Sequence, residues 1–248
     1  MIINVLGTGN AFNQESRLNS SFLVKNNTLN FLIDCGFTVP LALQNQNICF
    51  SSVDYLLITH YHGDHFAGIA AFLLGLKYVY PQTKKLTIVG PHDPKNKVEE
   101  LLKILYPGNE NVINELNLHF IAVPEKGGTV FGKDFEIHVH QMIHSDETFP
   151  VGYILKWETN SIGFSGDTCW HEGLIDFINQ SDQVIMECNF VKKVGEAHIS
   201  VEELEFEELV QEKKSNIFLT HLYEGSSAKA KELGYNVLSD GDVLNFES

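Results

Sequence analysis

Short apolar runs, most of them rich in β-branched residues, recur along the chain and constrain its fold more than any other feature. They read "IINVLG", "SSFLVK", "LNFLID", "VDYLLITH", "KLTIVG", "NLHFIAV", "FEIHVHQM", "VGYILKW", "SIGFSG", "QVIMEC" and "NIFLTHL". Each stops near Gly, Asp, Asn, Pro or His, the punctuation of strands. Helical stripes lie between them. Phe66, Ile69, Ala70 and Leu73 form one, Val98, Leu101, Leu102 and Leu105 a second, and Leu174, Phe177 and Ile178 a third. A fourth helix starts at Ser200, which forms a capping box with Glu203, and reaches toward Lys213 and Lys214. Strands alternating with amphipathic helices predict an α/β chain of two sheets packed face to face with helices outside. No solenoid repeat, low-complexity segment or Pro/Gly/Ser-rich linker divides residues 1–248, which read as a single domain.

Composition narrows the partners. With 17 Lys and Arg against 32 Asp and Glu, the formal net charge is −15. A chain that grips a long polyanion shows a basic patch, and none is visible here. A small-molecule substrate is expected instead, with no long nucleic acid and no membrane, since no apolar run approaches the ~18 residues of a span. "MIINVLGTGNAF" lacks the basic-then-apolar pattern of a secretory signal. Cys35, Cys49, Cys169 and Cys188 make no CxxC pair, so free thiols in a reducing cytoplasm are expected.

The run "VDYLLITH" continues directly into "HYHGDH". Three histidines and an aspartate fall within the six residues His60 to His65. His60 and His62 alternate and so share a face of an extended segment. Gly63 permits a sharp turn into a helix beginning near Asp64. Imidazole and carboxylate together suit zinc, iron or manganese, whereas calcium wants oxygen alone. Further donors should also stand at strand ends, and Asp34, His144, Asp167 and His221 each close an apolar run.

"HYHGDH" matches the HxHxDH signature of the metallo-β-lactamase fold superfamily. Asp34, His144, Asp167 and His221 follow that family's order, and "LSDGDVLNF" is similar to its closing strand. The resemblance implies a four-layer αββα sandwich with its site at one edge. It implies two divalent cations, zinc first, with manganese or iron also accommodated. His60, His62 and His144 would hold one cation, and Asp64, His65 and His221 the other. Asp167 would bridge them, and Asp34 would orient a ligating histidine. "GTGNAF", "RLNSSFLV" and "EAHISVEEL" resemble the ribonuclease Z-like phosphodiesterase branch, in which His198 would assist the leaving group. Only 22 residues separate His144 from Asp167. That leaves no room for the tRNA-clamping arm of ribonuclease Z and, with the net charge, favours a small phosphodiester such as a cyclic nucleotide. The alternatives are a thioesterase- or lactonase-type carbonyl hydrolase, a tRNA 3′-processing endonuclease, and a redox or non-catalytic sensor protein. Homodimers are common in the family.

The remaining candidates have plainer readings. His138 and His140 are expected in a strand body, and His119 on the surface or in the core. His92 and His171 follow strand ends and could reach a cleft rim. Cys35 and Cys169 are expected as small fillers, "GTGN" as an incomplete phosphate-loop fragment, and "VEELEFEELVQEKK" as a solvated helix face.

Overall fold

The structure, a computed structural model, describes residues 1–26 and 29–246. Its strands are β1 (Ile2–Gly7), β2 (Ser21–Asn26), β3 (Leu29–Ile33), β4 (Tyr55–Leu57), β5 (Leu86–Pro91), β6 (Leu118–Val123), β7 (Gly128–Phe131), β8 (Glu136–Gln141), β9 (Val151–Lys156), β10 (Ser161–Phe164), β11 (Gln183–Glu187), β12 (Ile217–Thr220), β13 (Asn236–Val237) and β14 (Val243–Asn245). Its helices are α1 (Val39–Asn45), α2 (Gly63–Phe66), α3 (Ile69–Tyr78), α4 (Pro94–Leu105), α5 (Val112–Glu115), α6 (Gly173–Asn179), α7 (Val201–Phe206), α8 (Glu208–Glu212) and α9 (Ser226–Glu232).

The strands form two seven-stranded sheets, ordered β14-β1-β2-β3-β4-β5-β6 and β13-β12-β11-β10-β9-β8-β7. Both are mixed. In the first, β1 pairs antiparallel with β14 and β2, and β2 with β3, before β3, β4, β5 and β6 run parallel. In the second, β7 to β10 meander antiparallel, and β10, β11, β12 and β13 run parallel.

Side-chain alternation makes four layers. In β2 and β3, Phe22, Val24, Phe31 and Ile33 face the second sheet, where they meet Val151, Tyr153, Leu155, Ile162 and Phe164. Between them, Leu23 and Leu32 point the other way, onto Leu43, Phe72, Leu73, Val98 and Leu102 of the helices α1, α3 and α4. The second sheet repeats this logic. Ile154, Val184, Met186 and Leu219 cover Leu174, Phe177, Leu204 and Ala230 of α6, α7 and α9. Strands buried on both faces explain the near-continuous apolar runs.

Two expected helices are interrupted. The stripe from Phe66 to Leu73 spans α2 and α3, separated at Ala67 and Gly68. The helix capped by Ser200 and Glu203 stops at Phe206, because Glu207 adopts extended backbone (φ −93°, ψ 107°), and α8 follows. The short β7 and β13 carry too few apolar residues to announce themselves. No helix among the described residues is long and apolar enough to cross a membrane.

The two sheets are tied together at one end. Thr59, just past β4, accepts from Val151 N at 3.0 Å, and Ile58 accepts from the buried Tyr153 hydroxyl at 2.7 Å. Across the molecule, His221 N donates to Thr8 O at 3.0 Å. Every candidate ligand stands at this end, beyond the carboxyl termini of β3, β4, β8, β10 and β12, where open α/β sheets gather their ligands.

Candidate metal centre

The turn that carries the histidine motif is held from below. Cys35 N donates to His65 O at 2.7 Å, and Gly68 N donates to Cys35 O at 2.9 Å. A Cβ at Gly36 would overlap the Asp64 carbonyl, so only glycine lets these two backbone segments approach. Asp34 and His221 both take left-handed backbone, each at φ 59°. For non-glycine residues that conformation costs energy and concentrates at functional sites.

The candidate donors converge as two groups. His60, His62, His144 and Asp167 bring one donor atom each to within 4.8 Å of one another, as do Asp64, His65, Asp167 and His221. Asp167 belongs to both. His62 Nδ1 lies 3.1 Å from His60 Nε2 and 3.1 Å from His144 Nε2. Asp167 Oδ1 lies 3.2 Å from His65 Nε2, and Asp167 Oδ2 lies 3.5 Å from His221 Nε2. Asp64 Oδ2 approaches both His65 Nε2 and His221 Nε2, at 3.4 and 3.3 Å.

For His60, His65 and His144 the outer nitrogen is engaged elsewhere, which decides what faces inward. His65 Nδ1 meets Asp34 Oδ2 at 2.7 Å, and Asp34 itself accepts from Thr59 N and Oγ1 at 2.7 and 2.8 Å. His144 Nδ1 donates to the Ala197 carbonyl at 2.8 Å, and His60 Nδ1 lies 3.1 Å from Thr59 Oγ1. Three ring nitrogens are therefore aimed at one another in a largely buried space. His65 Nε2 and Asp167 Oδ1 are buried with no hydrogen-bond partner of good geometry. This donor set of imidazoles and carboxylates fits a pair of divalent cations.

Electrostatics agree with a site built around charge. Burial opposes ionisation of Asp167, yet His221 and His65 hold its carboxyl well below the usual carboxylate range. Burial likewise opposes charge on His65, but Asp167, Asp64 and Asp34 push its imidazole well above the ordinary value.

His198 stands beside this cluster, its Nδ1 4.0 Å from Asp167 Oδ2. The buried Glu187, at the end of β11, takes His198 Nδ1 at 2.7 Å and also accepts from Thr168 N at 2.9 Å. Burial lowers the His198 pKa, but Glu187 overcomes it and raises the imidazole to about 9. Sequence reasoning gave no task to Glu187, which stands in the run "QVIMEC". It likewise missed Thr59 and the Ala197 carbonyl, whose local sequence carries no signal.

The other histidines stay apart. His138 pairs with Glu136 at 2.6 Å, and His140 meets Phe177 edge-on. His92 stacks on Phe149 at 4.4 Å, and His171 lines a separate hollow beside His140. Neither lines the cleft over the cluster. Cys35 is buried, and burial pushes its thiol far from reactivity. The glycines of "GTGN" pack against the backbone of Leu18 and Asn19.

Residues 1–240 match the family model described as anti-Pycsar protein Apyc1. A protein of that description from Bacillus phage 010DV004 is 28% identical over 235 residues, covering 89% of this chain and 88% of the relative. Among solved structures, the metallo-β-lactamase fold protein YhfI from Bacillus subtilis superposes with a TM-score of 0.78 at 21% identity, covering 98% of both chains. The short form of human tRNase Z superposes with a TM-score of 0.78 at 17% identity, covering 100% of both. The fold is therefore the metallo-β-lactamase sandwich that the sequence resembles.

Proposed function

We propose, from the premise that the chain belongs to the anti-Pycsar protein Apyc1 family, that this metal-dependent hydrolase cleaves a small phosphodiester, a cyclic nucleotide in particular. The observation that carries this reading is His198, held by Glu187 with its ring at the edge of the cluster. A thiolate leaves a thioester without a proton, whereas the alkoxide that leaves a phosphodiester is a strong base and gains from a proton donor fixed beside the cluster.

His60, His62, His144 and Asp167 would hold one cation, and Asp64, His65, His221 and Asp167 the other. Two such cations, zinc in our reading, supply Lewis acidity toward the phosphoryl oxygens and an acidified water. The chain's own residues do the rest. Asp34 keeps the His65 ring aimed inward. His198 lines the cleft, and with Nδ1 on Glu187 its Nε2–H is the donor left for substrate. As water adds to phosphorus and the P–O ester bond breaks, the departing alkoxide takes that proton. Such proton donation contributes ~10²–10⁴-fold. The cleft over the cluster, about 390 Å³, matches a nucleotide-sized ligand. The net charge of −15 disfavours a long polyanion.

The test is hydrolysis of bis(p-nitrophenyl) phosphate and of 3′,5′-cyclic nucleotides by protein shown to hold two cations, with Asp64→Ala as control. On the 3′,5′-cyclic nucleotide, whose leaving alkoxide needs a proton, His198→Ala should lose ~10²–10⁴-fold in turnover, with a smaller loss on the p-nitrophenyl ester and normal metal content by elemental analysis. Full activity on thioesters or lactones in His198→Ala, with none on diesters in the parent, would sink the phosphodiesterase reading.

A further inference from the structure

The cleft over the metal cluster is also lined by two aromatic rings that the chemistry above does not use. Phe12 is 79% exposed and Phe37 is 50% exposed, and both line the cleft together with Asn10, Asp64, Asn189 and His198. A large apolar ring left in water is ordinary when scattered. Two lining one cleft beside buried charge are not.

Phe12 is held out in position. Its N–H donates to Asn10 Oδ1 at 3.0 Å, and Asn10 Nδ2 donates to Gln14 at 3.1 Å. Asn13, Glu15 and Ser16 all adopt positive φ, and Asn13 Nδ2 closes the loop onto Arg17 O at 2.8 Å. Asp240 braces both ends of the loop, accepting from Thr8 N and Oγ1 at 2.8 and 2.7 Å and from Leu18 N at 2.7 Å. A loop this fully bonded keeps the Phe12 backbone in place before a ligand arrives, which reduces the ordering cost of binding.

Asn189 supplies the polar counterpart. It is 6% exposed, and its Oδ1 is buried without a partner. Its backbone is fixed, since the carbonyl accepts from Tyr223 N at 2.7 Å and Ser226 Oγ at 2.9 Å. A buried amide oxygen without a donor costs free energy that a ligand N–H or O–H recovers.

We infer that Phe12 and Phe37 form a stacking wall for the substrate's nucleobase, and that Asn189 hydrogen-bonds its base edge or ribose. This rests on the phosphodiesterase reading and makes these residues determinants of binding, away from the bond that breaks. Base–aromatic stacking is tolerant of base identity, because every base presents a π-face.

Two cyclic diesters separate the roles: a 3′,5′-cyclic nucleotide, and 1-O-methylribose 3′,5′-cyclic phosphate, which is the same ring without its base. In metal-loaded Phe12→Ala and Phe37→Ala, KM for the nucleotide should rise about 10–100-fold, the size of one lost stacking contact. Their kcat should stay within about 3-fold, and hydrolysis of the base-free diester should be unchanged. Phe12→Tyr should restore the parent KM, and Asn189→Ala should weaken the nucleotide alone. Unchanged KM, or equal losses on both diesters, would overturn the stacking wall while leaving the phosphodiesterase intact. Should the parent hydrolyse neither diester, the phosphodiesterase reading fails by itself. Calorimetric binding of a nucleoside 5′-monophosphate then reads the wall directly: weaker binding in Phe12→Ala upholds it, and no binding to the parent refutes it. A change of oligomeric state in Phe12→Ala, seen by sedimentation, assigns the ring to an interface and also refutes it.

Discussion

Single residues in this protein act through the partner on their far side. His198 is the clearest case. Its ordinary pKa near 6.5 is depressed by burial and raised by Glu187 to about 9. Without that carboxylate, burial would leave the ring's pKa below its ordinary value, so Glu187 keeps the ring charged from somewhat below pH 6.5 up to about 9. If protonated His198 serves the leaving group, turnover should hold through neutral pH and fall as pH rises past about 9. In Glu187→Gln the fall should begin at a lower pH, with kcat at low pH nearly retained. A pH profile that does not move would remove Glu187 from this role. Asp34 works the same way on His65. Asp34→Asn should weaken metal affinity about 10–100-fold, the usual effect of losing a partner behind a ligating histidine. Competition with a chelating dye measures it, and parent-like affinity would contradict it.

At the scale of elements, the site depends on how closely two turns approach. The turn after β3 and the turn into α2 share backbone hydrogen bonds from Cys35 to His65 and from Gly68 to Cys35. Gly36 sits where a methyl group would strike the Asp64 carbonyl. Gly36→Ala should therefore destabilise the fold by about 1–3 kcal/mol, as overpacking does. It should also displace Asp64 and His65, lowering metal content more than a matched alanine substitution on an exposed helix face. Urea denaturation and elemental analysis read the two effects separately. A variant as stable and as metal-rich as the parent would show that the turns can part without consequence.

At the scale of the molecule, three apolar cores make the four layers, and the cluster sits where both sheets end. Bringing six imidazole and carboxylate donors and the shared Asp167 into one buried end is costly when nothing offsets their repulsion. Cations that bind the folded chain should stabilise it by mass action, about 2.7 kcal/mol at one hundred times Kd. For a chain of this length that is a rise of roughly 5–10 °C in Tm. Chelation should reverse it and abolish hydrolysis. A Tm insensitive to metal would mean the folded chain does not bind cations at this cluster.

Residues already close along the chain spoke plainly in the sequence. The β-branched runs announced eleven of the strands: central ones such as β5 and β9 are near-continuously apolar because both faces are buried, and β8 alternates because one face alone is. "HYHGDH" announced donors, since no packing demand explains three histidines and an aspartate at a strand end. The Ser200 and Glu203 capping box located α7 for the same local reason. What required the third dimension was everything decided by approach across the fold. Glu187 and His198 are eleven residues apart, and Asp34 and His65 thirty-one. The exposed Phe12, the unpartnered Asn189 and the break at Glu207 carry no local signature. Hydrogen bonds and burial at those places depend on which segments the packing of two sheets brings together, and pairing across such distances is not written in the residues on either side.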